Sequence, residues 1–293
     1  MFIDSFIRFI TYEKRFSKHT ITAYGHELAE YVHYLKTLDT DAVQMTHRQA
    51  RAYLAVRLES GLSPVSVNRS LAALRTYYRF LMREGAIAHN PFTLVKALKT
   101  PKRLPVTVDK EKLSEMLDSA GSFPDTFEGI RDKAVLELLF GTGIRRAELL
   151  QIREEHIDFY NGNIRIFGKR NKERLVPMNK SLHTLLRYYI DEKNKQYAHN
   201  NSTNLIVTNK GKDAHPRLIY DIVTRYLSTI SSQRKKSPHV LRHTFATALL
   251  DNGADLNAIK ELLGHAGLAA TQVYTHNSVE RLKSIYKQAH PKA

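Results

Sequence analysis

The side chains best suited to chemistry are basic residues in the second half of the chain. Arg145 follows the turn GTGI, and Glu148 lies three residues beyond it. A surface ion pair between the two is the ordinary interpretation. His239 and Arg242 are three residues apart on a predicted helix, so they share a face near its N-terminus. That face suits an anionic oxygen better than a metal ion, because Arg242 would repel a cation.

Further candidates follow in the sequence, each with an ordinary structural alternative. Lys169 and Lys172 lie at the tip of a predicted hairpin, where lysine is common because the tip is solvated. His265 follows a predicted helix end, where it could act as a cap. Tyr274 lies nine residues after His265, where a half-buried helical tyrosine would be ordinary. Only as a set do these residues indicate one reaction.

That reaction is phosphoryl transfer to a tyrosine. Two arginines, a lysine and two histidines can surround one phosphate, and fixed guanidinium groups stabilise the extra negative charge of a pentacoordinate phosphorus. A tyrosine with a pKa near 10 is barely ionised at neutral pH, so it needs a base or a cationic field. A lysine whose pKa is lowered by neighbouring cations can protonate the departing oxygen. The chemistry requires neither a cofactor nor a metal ion.

The composition favours a polyanionic partner. The chain has 293 residues, with 45 Lys and Arg against 29 Asp and Glu, which gives a net charge of +16. Nucleic acid is the expected partner, since no apolar run approaches the length of a membrane span and no basic amphipathic helix stands alone. Without cysteine, the chain has no disulfide or thiolate zinc site. The N-terminus lacks the pattern of a signal peptide, so a cytoplasmic location is expected.

The elements that must position these residues form two parts. Residues 1–95 read as helices, punctuated by Ser17, by the capping-box pair Thr46 and Gln49, and by Ser63-Pro64. Residues 107–293 are mixed: mostly helices, a hairpin formed by 163–168 and 173–177, and a short strand at 205–208. Between the parts, the stretch KALKTPKRLP has two prolines and little periodicity, which predicts a linker at 96–106. The predicted fold is mainly α with a small antiparallel sheet.

Several other basic residues are candidates for DNA contact. Their shared feature is a position on an expected solvent-facing helix surface, in the linker or at the hairpin tip: Arg69, Arg75, Arg79, Lys102, Arg103, Arg170 and Lys172. Arg69, Arg75, Arg79 and Arg83 share one face of the helix after Pro64, and an ordinary solvated face is the alternative.

The sequence as a whole closely resembles the tyrosine recombinases, also called the phage integrase family, and within them the Xer type. Five strings carry the resemblance: GTGIRRAELL at 141–150, GKRNKERLVPM at 168–178, HVLRHTFAT at 239–247, LLGHAGLAATQVYTH at 262–276 and YKQAHPKA at 286–293. The family's catalytic pattern falls on Arg145, Lys169, His239, Arg242, His265 and Tyr274. Glu148 matches an acidic residue that supports the first arginine. One difference is Arg170, which replaces a glycine usual in the Xer hairpin and is expected to add a phosphate contact.

The resemblance implies a fold and a reaction. It implies a four-helix, SAM-like core-binding domain at 1–95 and a catalytic domain at 107–293, which close on double-stranded DNA. Tyr274 would form a 3′-phosphotyrosine, Arg145, Arg242 and His265 would bind the phosphate, His239 would assist proton transfer, and Lys169 would protonate the 5′-oxygen. Strand exchange would take place in a homotetramer or in a tetramer with a second Xer-type recombinase, with a DNA translocase as a possible activator. The C-terminal helix would dock on a neighbouring protomer.

The implied role is the resolution of chromosome dimers during partition and cell division, and three alternatives stay open. A mobile-element integrase would share the chemistry but usually has an additional N-terminal domain, whereas here the core-binding helices start almost at residue 1. A type IB topoisomerase shares the catalytic residues but has a different N-terminal part. A non-catalytic DNA-binding protein would not require Tyr274.

Overall fold

The computed structural model describes residues 2–101, 106–168, 173–197, 202–264 and 276–292. The chain divides into two compact units, Met1–Arg103 and Leu104–Ala293. In the part of the chain that is described, no helix is long and apolar enough to cross a membrane. The mainly helical fold with a small antiparallel sheet, expected from the sequence, is confirmed.

The first unit contains four α-helices in its described part. In chain order they are α1 (Ile3–Arg8), which continues as a π-helical turn (Phe9–Glu13), α2 (Lys18–Thr37), α3 (His47–Glu59) and α4 (Pro64–Arg83).

Helices α2, α3 and α4 begin at the capping residues that the sequence predicts. The Ser17 side chain accepts a hydrogen bond from the Thr20 amide, and Thr46 forms a capping box with Gln49. Ser63 caps α4, which has proline at its first position. Such caps satisfy amide groups that have no partner inside the helix. The predicted N-terminal helix boundaries are therefore confirmed.

The core of the first unit is aromatic and contains one buried acid. The hydroxyl groups of Tyr31 and Tyr78 lie 2.5 Å apart, and Tyr78 donates to the carbonyl of Ala42. Glu27 is buried, accepts from the Tyr53 hydroxyl at 2.7 Å and pairs with Arg57. These contacts join α2, α3 and α4 into one helical body.

The second unit has eight α-helices and three strands in its described part. In chain order they are α5 (Lys110–Asp118), α6 (Phe127–Thr142), α7 (Arg146–Leu149), β1 (Ile157–Asp158), β2 (Asn163–Phe167), β3 (Glu173–Pro177), α8 (Lys180–Gln196), α9 (Pro216–Ile230), α10 (Pro238–Asp251), α11 (Leu256–Leu263) and α12 (His276–Ala289).

Helix α6 lies at the centre of this unit. Its residues from Ala134 to Phe140 are almost completely buried, and the charged member of this stretch, Glu137, pairs with Lys292. It packs against α8, α9 and α10. The helices that carry the candidate residues are therefore fixed to one central element.

The strands form an antiparallel sheet in the order β1-β2-β3. Ile164 faces Val176 and Ile166 faces Arg174 across the β2–β3 pair, so the predicted hairpin is confirmed. The predicted strand at 205–208 is wrong. Asn204 and Val207 form only isolated bridges, to Arg153 and Asp213. The Leu205 carbonyl accepts from the side chains of Tyr189 and Lys193 instead of from a strand.

The C-terminal helix α12 packs within its own unit. Leu282 and Tyr286 are buried, and the Tyr286 hydroxyl donates to the Gly141 carbonyl at 2.7 Å. His290 is also buried and contacts the same carbonyl oxygen at 3.0 Å. Burial lowers the pKa of His290 to about 4, so this side chain is neutral at physiological pH. The last residues are thereby anchored to the end of α6.

Candidate active site

Arg145 owes its position to the sharp exit of the chain from α6. Gly141 and Thr142, expected in a glycine-rich turn, form the last residues of that helix, and Gly143 ends it with a φ of 61°. A Cβ atom on Gly143 would lie 2.3 Å from a ring carbon of Phe245, so position and conformation both require glycine. Two residues later, Arg145 occupies the N-cap position of α7.

Glu148 holds Arg145 by both its side chain and its backbone. The Arg145 guanidinium donates to Oε1 at 2.7 Å and its amide donates to Oε2 at 2.8 Å. Burial alone would raise the pKa of Glu148, but hydrogen bonds from Arg174 and Arg145 hold that pKa below its ordinary value. Glu148 is therefore a carboxylate at neutral pH, and the Arg145–Glu148 pair that the spacing predicted is present.

Arg242 is buried on α10, one turn from the start of the helix. Its Nη1 donates to the Gly143 carbonyl and its Nη2 to the Leu263 carbonyl, both at 2.6 Å. Burial, followed by the nearby charge of Arg145, lowers the pKa of Arg242 to about 10. The guanidinium is still charged at neutral pH and is fixed by two backbone acceptors.

His239 lies at the second position of α10 and is exposed. Partial desolvation of the ring lowers the pKa of His239 below its usual value, and nearby His243, Arg242 and Arg146 lower it further. The ring is therefore mostly neutral at pH 7 in the DNA-free protein. A neutral imidazole can accept a proton.

The end of α11 brings the two candidate arginines together. Gly264 ends this helix with a φ of 64°. Its carbonyl accepts from Arg145 at 3.3 Å, and the preceding Leu263 carbonyl accepts from Arg242. Both guanidinium groups thus converge on the backbone directly before residue 265.

The other candidate catalytic residues lie outside the described residues. They are Lys169, His265 and Tyr274, together with the candidate DNA-contact residues Lys102, Arg103, Arg170 and Lys172. The described elements border them: Phe167 pairs with Glu173 where the two strands enter the hairpin turn, and α11 ends at Leu263.

Sequence reasoning missed Arg174. Its side chain is 5% exposed and donates to both oxygens of Glu148, at 3.0 and 2.8 Å. A signal was available, because Arg174 precedes Val176 by two residues on β3 and therefore points to the same, buried face of the sheet. An arginine at an inward position of a strand needs a buried partner, and Glu148 provides it.

The arginines on α4 differ in their hydrogen-bond partners. Arg75 donates to the carbonyls of Phe92, Thr93 and Val95, at 3.0, 3.3 and 2.5 Å. Arg79 is exposed and bonds only to its own helix. In the described part of the chain, Arg69 has no hydrogen-bond or ion-pair partner. Arg69 and Arg79 therefore have charges available to an anionic ligand.

The geometry of the second unit fits one anionic oxygen group. Two charged guanidiniums are held by carbonyls and a carboxylate on elements that pack against α6, and a mostly neutral histidine lies on the same helix as Arg242. Preorganised cations of this kind stabilise charge that develops in a transition state, because they need little reorganisation when it forms.

Comparison with known proteins agrees with this arrangement. The profile of the phage integrase family matches residues 107–281, and that of the phage integrase N-terminal SAM-like domain matches residues 3–85.

Two relatives match over almost their whole length. The tyrosine recombinase XerC of Pelotomaculum thermopropionicum is 36% identical, covering 99% of this chain and 98% of that protein. The tyrosine recombinase XerD of Listeria innocua is 34% identical and covers 99% of each chain. Among solved structures, the XerH site-specific recombinase bound to a palindromic difH substrate after cleavage has a TM-score of 0.73. It is 25% identical, covering 90% of this chain and 78% of that one.

Proposed function

Because this chain belongs to the phage integrase family of tyrosine recombinases, which cut and rejoin DNA strands, we propose that it recombines specific DNA sites through a tyrosine nucleophile, Tyr274. One observation carries the assignment to this chain's own residues. The guanidiniums of Arg145 and Arg242 converge at the end of α11, directly before His265. A single phosphate at this point would meet both arginines, and His265 is the next residue of the chain.

In this proposal Arg145, Arg242 and His265 bind the scissile phosphate. A guanidinium presents paired N–H donors in a plane, which matches two phosphate oxygens. The Glu148 carboxylate holds Arg145, and two carbonyls hold Arg242, so both side chains lose little further conformational freedom when DNA binds.

Cleavage then exchanges one phosphoester bond for another. The Tyr274 oxygen bonds to phosphorus and the bond from phosphorus to the 5′-oxygen breaks, which leaves a 3′-phosphotyrosine. The tyrosine proton passes towards His239, whose lowered pKa favours the neutral ring, and Lys169 supplies a proton to the departing 5′-oxygen. Rejoining reverses these steps with a 5′-hydroxyl from the partner strand. The phosphotyrosine conserves the bond energy.

We further propose that the substrate is a chromosomal dimer-resolution site. Both curated relatives described above have Xer names and match over almost their full length, which favours this role over that of a mobile-element integrase. The protein would act as a multimer on paired duplexes, either as a homotetramer or together with a second Xer-type recombinase, with a DNA translocase as its activator. Arg69, Arg79, Lys102, Arg103, Arg170 and Lys172 are proposed to contact the DNA backbone.

The decisive experiment uses a nicked suicide duplex that contains a candidate recombination site. Its cleaved end is lost, so the covalent intermediate accumulates. We expect a protein–DNA adduct that is stable to denaturant and absent from Tyr274→Phe, which should still bind the duplex. An adduct that persists in Tyr274→Phe would refute this nucleophile. Binding without an adduct on any recovered site would support a non-catalytic DNA-binding protein instead.

A further inference from the structure

Three consecutive carbonyl groups at the end of α11 each accept a hydrogen bond from a different arginine. The contacts are Arg174 Nε to Leu262 at 2.9 Å, Arg242 Nη2 to Leu263 at 2.6 Å and Arg145 Nη2 to Gly264 at 3.3 Å. The last carbonyls of a helix have no partner within the helix, and cations are favoured there. Two of these arginines have a proposed role at the phosphate, whereas Arg174 has none.

All three guanidinium nitrogens of Arg174 already have protein acceptors, whereas the Nε atom of Arg242 has none among the described residues. The Arg174 side chain is 5% exposed, and its Nη atoms are bonded to the carboxylate of Glu148. The same carboxylate accepts two hydrogen bonds from Arg145. Four hydrogen bonds therefore fix the orientation of Glu148, and half of them come from Arg174.

The position of Arg174 in the chain connects three parts of the site. It lies on β3, which begins directly after the hairpin segment that includes Lys169. Its guanidinium joins this strand to Glu148 on α7 and to the Leu262 carbonyl on α11. The fit is close, because a Cβ atom on Gly264 would lie only 3.1 Å from Arg174 Nη1.

The charges around Glu148 also indicate more than a stabilising ion pair. Arg145, Arg174 and Arg242 surround one carboxylate, so two positive charges remain uncompensated in a largely buried region. A buried ion pair is often no more stable than apolar residues of the same shape. Buried positive charges without a counterion destabilise the free protein more than a buried ion pair does, but they favour the binding of an anion.

We propose that Arg174 is a positioning residue for strand cleavage. It fixes Glu148 and the last turn of α11 relative to β3, so that Arg145, which is bonded to Glu148 and to the Gly264 carbonyl, meets the phosphate in a constant geometry. It acts through these groups and does not touch the substrate. The inference rests on the proposed recombinase function.

The test compares Arg174→Lys and Arg174→Met with a matched control, Arg131→Lys. Arg131 is also buried in the second unit and pairs with a buried acid, Asp132, at 2.8 Å, but it has no role at the proposed site. Single-turnover cleavage of the suicide duplex is measured at saturating DNA and divided by the folded fraction from circular dichroism. We expect both Arg174 variants to cleave about 10- to 100-fold more slowly, by analogy with the loss of residues that orient metal ligands in metalloenzymes. Arg131→Lys should cleave at the wild-type rate, and DNA affinity should be unchanged in all three.

The pH profile of cleavage separates positioning from general stability. Among the described residues, the charged groups that act on Glu148 are Arg145, Arg174 and Arg242. Burial raises the pKa of Glu148, and Arg174 opposes this effect. In Arg174→Met the pKa of Glu148 should therefore rise, so that acidification abolishes cleavage at a higher pH than in the wild type. Glu148→Gln combined with Arg174→Met should lack this shift.

Two outcomes are decisive against the inference. If the Arg174 variants match Arg131→Lys in rate per folded molecule and keep the wild-type pH profile, Arg174 is only a structural residue. If the wild-type protein itself forms no adduct while binding the duplex, the proposed function fails, and the inference fails with it. These results are distinguishable because the first requires an active wild-type protein.

Discussion

Arginines serve differently in the two units of this protein. Around the end of α11, Arg145, Arg174 and Arg242 are held by a buried carboxylate and by backbone carbonyls. On α4, Arg69 and Arg79 are exposed and form no hydrogen bond or ion pair with another element among the described residues. The first arrangement is suited to one phosphate in one geometry, whereas the second is suited to attraction of any DNA backbone. Fixed and free cations should therefore respond differently to the same substitution.

The largest effect is expected where a fixed charge loses its partner. Glu148→Gln leaves Arg174 buried without a counterion, and loss of one partner of a buried pair costs about 3–5 kcal/mol in the free energy of unfolding. Urea unfolding at pH 7 measures this change. Glu13→Gln is the matched control, because Glu13 pairs with Arg83 on the exposed surface of the first unit, and we expect no measurable change there.

The effect of Glu148→Gln should depend on pH in a defined direction. The folded-state pKa of Glu148 lies below its ordinary value of 4.5, so its contribution to stability is present above that value and is lost as pH falls through the folded pKa. The stability difference between wild type and variant should therefore shrink in acid. A difference that stays constant down to the acid transition of the wild type would contradict the assignment of a buried carboxylate.

The next effect concerns catalysis. Arg242→Lys keeps the charge but loses the planar donor pair, and we expect cleavage of the suicide duplex to fall by about 10²- to 10³-fold, as for loss of one transition-state donor. DNA affinity should change little, since lysine keeps the positive charge that attracts the phosphate. Arg69→Lys, the same substitution on α4, should preserve both cleavage and binding. Equal losses of binding and cleavage in Arg242→Lys would argue against a transition-state role.

The sequence predicted the contacts between residues that are close in the chain, and it did not predict the arginine contacts between distant segments. The pairing of Arg145 with Glu148 follows from a spacing of three residues, and helix caps follow from short motifs. The contacts to α11 join residues 119, 88 and 21 positions apart, and no local pattern encodes them. The segment 205–208 resembled a strand because it is apolar and β-branched, but burial of its backbone against Tyr189 and Lys193 replaced strand pairing.

A smaller effect on stability is expected for Arg75, the arginine of α4 that is bound to backbone carbonyls. Arg75, predicted to contact DNA with its neighbours, donates to three carbonyls of the segment that follows the first unit's last helix. Hydrogen bonds that involve a charged group contribute about 1.5–3 kcal/mol to stability. Arg75→Ala should therefore lower the free energy of unfolding by about that amount. Thermal unfolding measures it. A loss of DNA affinity without any loss of stability would instead assign Arg75 to the DNA interface.

The smallest effect should come from a free surface cation. Arg69 has no partner in the described part of the chain, so its charge can replace a counterion of the DNA backbone. Arg69→Ala should reduce the slope of log K against log salt concentration by about 1 and leave protein stability unchanged. Arg83→Ala is the control on the same helix, since Glu13 already neutralises that guanidinium, and its slope should match the wild type. If both variants change the slope equally, the ion pair of Arg83 with Glu13 does not keep Arg83 from the DNA. The difference between paired and unpaired arginines would then matter only in the second unit.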